Sequence, residues 1–442
     1  MKKLKNLPQS SFLKLFFAFV SLFFLVAAVC MPDRNEMFTG LWNILKNPTK
    51  LTCNFFSVGG YAGTFLNMGL VAACCTLLYY VTGATANSVS TLAFLLTLGF
   101  SSWGINVLNM WPTMLGVAVY ALVKKEKLGA NTNAMLFSTG IAPFISELFV
   151  RYPSVEVIGF NGLGIALGAV VGIVAGFFIP AGLPHSPKVH KGMDLYSAAL
   201  PVGMTTFFLS GLLYQVMGIK IPSAIGDLAV ANGTIVNIFC CALFGLCVVL
   251  ALLLGCTPKD YWKLLKNPDQ VTDFSATYGN ATFLMNVGVY GLFIMAYYNI
   301  IGAPFNAVTL GVIFCMLCCC NSGSRPTNVW PIMLGYVVAS FAAKYTSDAL
   351  GGNFTLAINA QAIVVGLCFA NGLSPISDKY GWQYGFVAAM MHYCIVTLVP
   401  SIHGGFCLYN GGFTAVFVCI LLVPILEKFC KTKEERRLAK TV

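Results

Sequence analysis

The sequence contains very few charged residues. Lys, Arg, Asp and Glu together make up 9% of the 442 residues, whereas hydrophobic residues make up 58%. A soluble domain carries about 25% charged residues, so this composition excludes a soluble protein. The net charge of +11 would fit a nucleic-acid ligand, but the basic residues lie in short loops and tails. We therefore expect the lipid bilayer as a partner and no nucleic acid.

The sequence also lacks the motifs of common membrane enzymes and pumps. It contains no HExxH zinc signature, no GxSxG nucleophile element and no Walker-type phosphate loop. The 17 cysteines lie mostly within apolar runs, where cysteine is a small buried hydrophobe. Cys315 and Cys318 form a CxxC pair, but no second pair at zinc spacing accompanies them. We predict no enzymatic activity, no metal site and no cofactor.

An internal duplication runs through the whole chain. Five motifs occur twice in the same order, at offsets of 213 residues (190 to 403) to 232 residues (143 to 375). Such self-similarity indicates a repeat architecture. The matched stretches are 42–48 with 262–268, 64–66 with 282–284, 109–116 with 328–335, 140–147 with 372–378, and 190–196 with 403–409.

The fold class predicted from these observations is an all-α membrane protein with about 14 transmembrane segments. Each copy carries seven apolar segments. They lie near 11–30, 62–82, 86–102, 105–123, 131–149, 162–183 and 196–218 in the first copy, and near 234–255, 281–301, 303–321, 327–343, 354–373, 382–401 and 408–427 in the second. The predicted units are the first repeat (1–218), an external linker (219–232), the second repeat (233–430) and a basic cytoplasmic tail (431–442).

An odd number of segments in each copy predicts that the second copy enters the membrane upside down. With the N-terminus inside, 20 of the 26 basic residues fall on the inner side and six on the outer side. This distribution follows the positive-inside rule. We therefore predict two inverted repeats in the inner (cytoplasmic) membrane, with both termini in the cytoplasm.

The third and fourth segments of each copy are short and interrupted. In the first copy the polar, glycine-containing stretch 99–106 separates them, and 321–328 does so in the second. Irregular backbone at membrane depth is tolerated only where protein or a water-filled cavity covers it. We expect these segments to be either half-helices that meet near the midplane or a re-entrant hairpin.

The run His-Gly-Gly-Phe-Cys-Leu-Tyr-Asn-Gly-Gly-Phe at 403–413, with its weaker twin at 190–196, resembles a family of bacterial multi-spanning membrane proteins. That family is catalogued only as a domain of unknown function. The first copy departs from the motif at Ser197-Ala198, where the second has Asn410-Gly411. The resemblance implies an inner-membrane protein and no particular substrate. In architecture alone, a seven-plus-seven inverted repeat is similar to the nucleobase and anion exchanger group.

An Asn-x-Trp-Pro element follows the break in each copy, and inverted-repeat transporters bind substrate where broken helices present their ends. Asparagine donates and accepts hydrogen bonds, tryptophan offers a flat apolar wall, and proline frees a backbone carbonyl. Arg325, which precedes a helix N-terminus, would bind an anion. The alternatives are an interfacial tryptophan, a packed kink and an ordinary loop arginine. The candidate substrate-binding residues are Asn106, Asn109, Trp111, Pro112, Arg325, Asn328, Trp330 and Pro331.

A second set of residues is assigned to proton coupling or gating. Glu147 is the acid within an apolar run, where an ionisable group suggests function, although an interfacial carboxylate near Arg151 is the alternative. Histidine titrates near physiological pH, but a loop position at the membrane surface also explains the two matched histidines. The set consists of Glu147 and its twin Asp378 in a loop-like stretch, His190 and His403, and Tyr196 and Tyr409.

These features favour a secondary transporter or channel for a small polar or anionic solute. The alternatives are a membrane-embedded enzyme and a non-transporting membrane scaffold or receptor. The expected partners are the bilayer and a small-molecule or ion substrate. A homo-oligomer is an alternative to a monomer.

Overall fold

A computed structural model describes residues 6–223, 228 and 233–440, and within this part of the chain the regular structure is helical, with no strand. Most of the predicted external linker, 224–227 and 229–232, lies outside the described residues, as do the first five residues and the last two.

Within the described residues, the first copy contains ten α-helices and the second copy, with the tail, contains eleven. Those of the first copy are α1 (Gln9–Cys30), α2 (Met37–Leu45), α3 (Phe55–Val81), α4 (Ser88–Phe100), α5 (Trp111–Val123), α6 (Leu128–Ser138), α7 (Ala142–Arg151), α8 (Gly162–Gly182), α9 (Ser186–His190) and α10 (Ala199–Ser210). Those of the second are α11 (Gly233–Leu253), α12 (Pro258–Leu265), α13 (Phe274–Tyr278), α14 (Asn280–Ile300), α15 (Ala307–Leu317), α16 (Pro326–Ala349), α17 (Gln361–Ala370), α18 (Ser374–Lys379), α19 (Trp382–Ile395), α20 (Asn410–Phe429) and α21 (Lys433–Leu438).

The protein is a multi-pass membrane protein. In the part of the chain that the structure describes, eight helical stretches are long and apolar enough to cross a bilayer, and every predicted apolar segment coincides with at least one helix. Large apolar side chains such as Leu163, Val170 and Phe178 of α8 face outward, where only hydrocarbon would cover them. The eight stretches are Gln9–Cys30, Phe55–Val81, Leu128–Arg151, Gly162–His190, Ala199–Val216, Gly233–Leu253, Asn280–Ile300 and Asn410–Leu438.

The two copies break their second long helix in the same way. Gly60 kinks α3 with a φ of 67°, and Gly279 separates α13 from α14 with a φ of 86°. Glycine adopts these positive φ angles without a steric penalty. Asn54 and Asp273 cap the short helical turn before each break. Both pairs are 219 residues apart (279 − 60 and 273 − 54), so these two matched stretches share their local backbone geometry.

The helices α4 and α15 form the centre of the molecule, and we call them the central pair. They have 13 and 11 residues, or about 20 and 17 Å at 1.5 Å per residue, so neither helix alone reaches across a bilayer. The pair is antiparallel: Ser322, just after α15, donates a hydrogen bond to the carbonyl of Ser88 at the start of α4. A Cβ on Gly99, near the other end of α4, would lie 2.5 Å from the Gly311 oxygen, so the two backbones touch there.

The half-helix prediction is wrong for the fourth segment of the second copy. There α16 has 24 residues, or about 36 Å, whereas its counterpart α5 has only 13. A left-handed residue, Lys125 with a φ of 56°, follows the end of α5. At the far end of α16 the chain instead continues as a helix, in which Lys344 forms an ion pair with Asp348 one turn later.

Candidate functional site

The structure places the two Asn-x-Trp-Pro elements at opposite ends of the central pair. Asn109 donates to the carbonyl of Gly104, just after α4, and Asn328 donates to that of Gly323, just after α15. Because α4 and α15 are antiparallel, these ends are separated by about the 20 Å length of α4. We call them the Glu147 end and the Arg325 end, and the two halves of the predicted substrate site do not come together.

Arg325 at the Arg325 end is buried and fully hydrogen-bonded. Its guanidinium forms a bidentate ion pair with Asp378, at 2.8 and 3.1 Å. Its remaining donors bond to the carbonyl oxygens of Asn267, Gly323 and Leu265, at 2.6, 3.0 and 3.1 Å. All five N–H donors of the side chain are thus occupied. The guanidinium therefore has no donor left for an anion unless the cluster rearranges.

The partner of Arg325 corrects the position assigned to Asp378. The sequence suggested a loop, but Asp378 lies on the short helix α18 and is only 7% exposed. Asn328 donates a 2.7 Å hydrogen bond to the same carboxylate and accepts the Arg325 backbone N–H at 2.9 Å. Arg325, Asn328 and Asp378 form one buried polar cluster, which we call the Arg325 cluster, at the start of α16.

The matched positions at the Glu147 end repeat the backbone geometry with different chemistry. Asn109 accepts the Asn106 N–H at 2.8 Å and donates to the Ser146 hydroxyl at 2.8 Å. Asn106 occupies the position of Arg325 and carries no charge, so Glu147 instead pairs with Arg151 at 3.3 Å, one helical turn away. Asn109 and Asn328 both serve as structural links between a break and the following helix.

The tryptophans and prolines of the two elements take different positions. Pro112 and Pro331 are buried, whereas Trp111 and Trp330 are 36% and 38% exposed. Trp111 donates its indole N–H to the Val107 carbonyl at 2.8 Å. Trp330 packs on Trp382, with 5.7 Å between the ring centroids, and both rings line a cavity of about 430 Å³ at the Arg325 end.

Two larger cavities open at the Arg325 end. The first, of about 1050 Å³, shares Thr327, Asp378 and Lys433 with the tryptophan-lined cavity. The second, of about 590 Å³, shares Gly192 and Val271 with the first. The three cavities therefore adjoin one another. The charged residues around the 1050 Å³ cavity are Lys266, Asp269, Arg325, Asp378, Lys379, Lys433, Glu434 and Arg437.

At the Glu147 end the equivalent region is covered by other parts of the chain. Lys50 donates a 2.7 Å hydrogen bond to the Pro222 carbonyl and lies 5.5 Å from the centre of the Phe406 ring. Arg151 donates to the Ser223 carbonyl at 2.9 Å. Burial lowers the pKa of the Lys50 ammonium, although the nearby Glu147 carboxylate acts in the opposite direction. The segment that ends at Ser223 thus holds Lys50 and Arg151, the two basic neighbours of Glu147.

The matched histidines are buried, which corrects the alternative of a surface loop. His190 and His403 are 1% and 0% exposed. The Nε2 atom of His190 is 3.0 Å from the Ser197 hydroxyl, and that of His403 is 3.0 Å from the Asn410 side-chain oxygen. Both histidines hold the segment that follows them, so their first role is structural.

Those two segments reach across into the other copy. The Leu195 N–H donates to the Gly372 carbonyl, and the matched Leu408 N–H donates to the Gly140 carbonyl, each at 3.0 Å. The adjacent tyrosines are not equivalent. The Tyr196 hydroxyl bonds to Asn371 at 2.7 Å and contacts two backbone carbonyls, whereas the buried Tyr409 hydroxyl has no hydrogen-bond partner within the described part of the chain. The copies are therefore similar in backbone but different in polar chemistry.

Two functional candidates escaped the sequence analysis. Asn371 joins Tyr196 to Tyr290 through a 3.0 Å hydrogen bond, and it lies within a predicted apolar segment where asparagine alone is a weak signal. Asp194 is 2% exposed and lines the 590 Å³ cavity. The sequence does show Asp194 as the acid between His190 and Tyr196. Because the matched residue in the second copy is Cys407, a comparison of matched polar residues does not identify it.

Comparison with known families gives one match. A family described as "Protein of unknown function (DUF1576)" matches residues 33–215 and 256–428. The two matched stretches end 213 residues apart (428 − 215), which is the offset of the His–Tyr elements. No curated protein and no solved structure matches the chain.

Proposed function

Because the chain belongs to this DUF1576 family, whose description carries no activity, we propose from the site that it is a secondary transporter for a small anionic solute. It is a carrier of two inverted seven-segment copies, about fourteen segments in all, with both termini in the cytoplasm. Its substrate enters from the Arg325 end, which faces the cytoplasm.

The hydrogen bonds that cap the two helices of the central pair support this proposal. The Asn54 side chain of the first copy accepts the N–H of Ala307 at the start of α15, at 3.1 Å. The Asp273 side chain of the second copy accepts the N–H of Ser88 at the start of α4, at 3.0 Å. This reciprocal capping of antiparallel, matched helices supports a two-fold axis between inverted copies. Inverted copies are the common basis of alternating access in secondary transporters.

The difference between the two ends supports a carrier rather than a channel. Adjoining cavities open at the Arg325 end, whereas at the other end Glu147 is buried and its neighbours Lys50 and Arg151 bond to the segment that ends at Ser223. Lys433 of the tail lines two of the cavities at the Arg325 end. One end is thus covered and the other open, as alternating access requires of any single state.

The charges of the 1050 Å³ cavity support an anionic solute. Five basic and three acidic residues line it. Arg325 and Asp378 neutralise each other, which leaves four basic and two acidic side chains. An excess of positive charge in a partly enclosed cavity raises the local concentration of anions. The solute would bind to lysines such as Lys266 and Lys379 rather than to the occupied Arg325 guanidinium.

The proposal is tested with purified protein and a library of small organic and inorganic anions. A ligand at 100 times its dissociation constant should stabilise the fold by about 2.7 kcal/mol. The stabilising anion is then tested for counterflow in proteoliposomes, which a carrier supports and a channel does not. Lys266→Gln and Lys379→Gln should weaken binding, and Lys344→Gln, outside the described cavities, serves as the control. Stabilisation without counterflow would contradict a carrier.

A further inference from the structure

Asp194 is a buried carboxylate that carries an unused hydrogen-bond acceptor. One carboxylate oxygen accepts the Tyr196 N–H at 2.9 Å. The other oxygen is buried and has no partner among the residues that the structure describes. A buried carboxylate normally finds a cation or several donors, so this single bond leaves Asp194 short of partners.

Asp194 lies where the two copies meet. The next residue, Leu195, donates its N–H to the Gly372 carbonyl of the second copy. A Cβ on Gly372 would lie 2.5 Å from the Asp194 carboxylate, so the carboxylate packs directly on that backbone. Any relative movement of the copies at this contact changes the surroundings of Asp194.

Asp194 also lies beside the open end. It lines the 590 Å³ cavity, whose wall includes Ser88 at the start of α4 and Ser322 after α15. That cavity adjoins the 1050 Å³ cavity through Gly192, two residues before Asp194. A proton from the solution at the Arg325 end therefore has a short route to Asp194.

Within the described part of the chain, the groups around Asp194 provide no balancing positive charge. On α9, His190 accepts the Asp194 backbone N–H through its ring nitrogen at 3.4 Å. On α20, Cys419 lies nearby as a neutral thiol, and Glu126 lies elsewhere on the cavity wall. Lys191 is engaged with Glu427. Burial raises the pKa of Asp194 to about 7, and the Tyr196 N–H offsets only part of this increase.

We propose that Asp194 is the site of the coupling proton, which makes the transporter proton-driven; this inference rests on the proposed transport function. A proton enters from the 590 Å³ cavity and forms an O–H bond on the unpartnered carboxylate oxygen. The carboxyl group then stays protonated while the two copies rearrange. At the other face the O–H bond breaks, and the proton passes to water, which restores the carboxylate.

The geometry favours a proton over a metal cation. Hard divalent cations take six to eight oxygen ligands, whereas one lone pair is sufficient for a proton. Within the described residues, no three His, Cys, Asp or Glu side chains converge as a metal site. Cys407 stands at the matched position of the second copy, where its N–H reaches the ring of His403 at 3.3 Å. With one carboxylate for two copies, the expected stoichiometry is one proton in each transport cycle.

The test is an infrared pH titration of the full-length protein, with protons and no solute as the probe. The parent should show a protonated-carboxyl band that titrates near neutral pH. Asp194→Asn should abolish this band, and Asp194→Glu, which keeps a carboxyl group at the site, should retain a titrating band. Glu126→Gln is the matched control on the same cavity wall, where the exposed Glu126 carboxylate already accepts a hydrogen bond from Asn131, and it should leave the band unchanged.

Two results would overturn the proton site. One is a neutral-range band that persists in Asp194→Asn, or no such band in the parent. The other is a midpoint that falls by more than one pH unit when sodium replaces choline, which would indicate a metal-cation site. Because the titration needs no solute, its failure leaves anion counterflow untouched, and a failure of counterflow refutes transport without affecting the titration.

Discussion

Breaking the Arg325–Asp378 pair should strongly destabilise the protein. The Arg325→Gln substitution removes a guanidinium that is 3% exposed and that makes five hydrogen bonds, two of them to Asp378. Asp378 would keep its 2.7 Å bond from Asn328 but lose its only ion-pair partner in the described chain. Breaking a buried pair from one side costs about 3–5 kcal/mol.

The predicted loss of unfolding free energy arises from the charge that is left unpaired, so a double variant that removes both charges provides the decisive comparison. Asp378→Asn alone leaves the Arg325 charge buried and should also cost about 3–5 kcal/mol. The double variant Arg325→Gln with Asp378→Asn leaves neither charge. It should therefore cost less than the two single effects added together, by about 0.5–3 kcal/mol.

The measurement is equilibrium unfolding in mixed micelles, followed by tryptophan fluorescence. The control is Lys344→Gln, which breaks an exposed ion pair with Asp348 and should cost less than about 0.5 kcal/mol. If Arg325→Gln costs less than about 1 kcal/mol and abolishes anion binding, the reasoning is refuted. Arg325 would then be a ligand for the solute and not a structural residue.

Three further predictions concern Asp194, the asparagine links and the topology. Because the fold raises the Asp194 pKa from 3.8 to about 7, the parent should lose stability relative to Asp194→Asn as pH rises across that interval and then level off; a pH-independent difference in melting temperature would refute this. Asn328→Ala should cost about 1–3 kcal/mol of unfolding free energy, because it leaves the Asp378 and Gly323 acceptors with one donor fewer; unchanged stability with lost binding would instead make Asn328 a ligand. Cysteine labelling in a cysteine-free background should place 124–127 and 259–266 on the side of both termini, and labelling from opposite sides would contradict the inverted arrangement.

The positions of the helix breaks can be predicted from the sequence, but the lengths of the helices that follow them cannot. The glycine-containing stretches after α4 and α15 were recognised from polarity within apolar runs, and Asn67 and Asn286 bridge the matched carbonyls there. The sequence predicts too short an α16, because its last turns contain the charged residues Lys344 and Asp348. Such residues indicate the end of an apolar segment. A helix continues through such residues when they pair one turn apart.

The sequence by itself determined that this chain is a duplicated helical membrane protein, because apolar length and repeated motifs are local properties of the letters. It also indicated which polar residues were worth attention. Only the tertiary structure decided their roles: Arg325 meets Asp378, 53 residues away, and its donors are fully used. Among the described residues Asp194 has no cationic partner, because its neighbours come from α9 and, in the second copy, from α20 and Gly372. Charge pairing and burial depend on distances between remote segments, and a single sequence does not contain those distances.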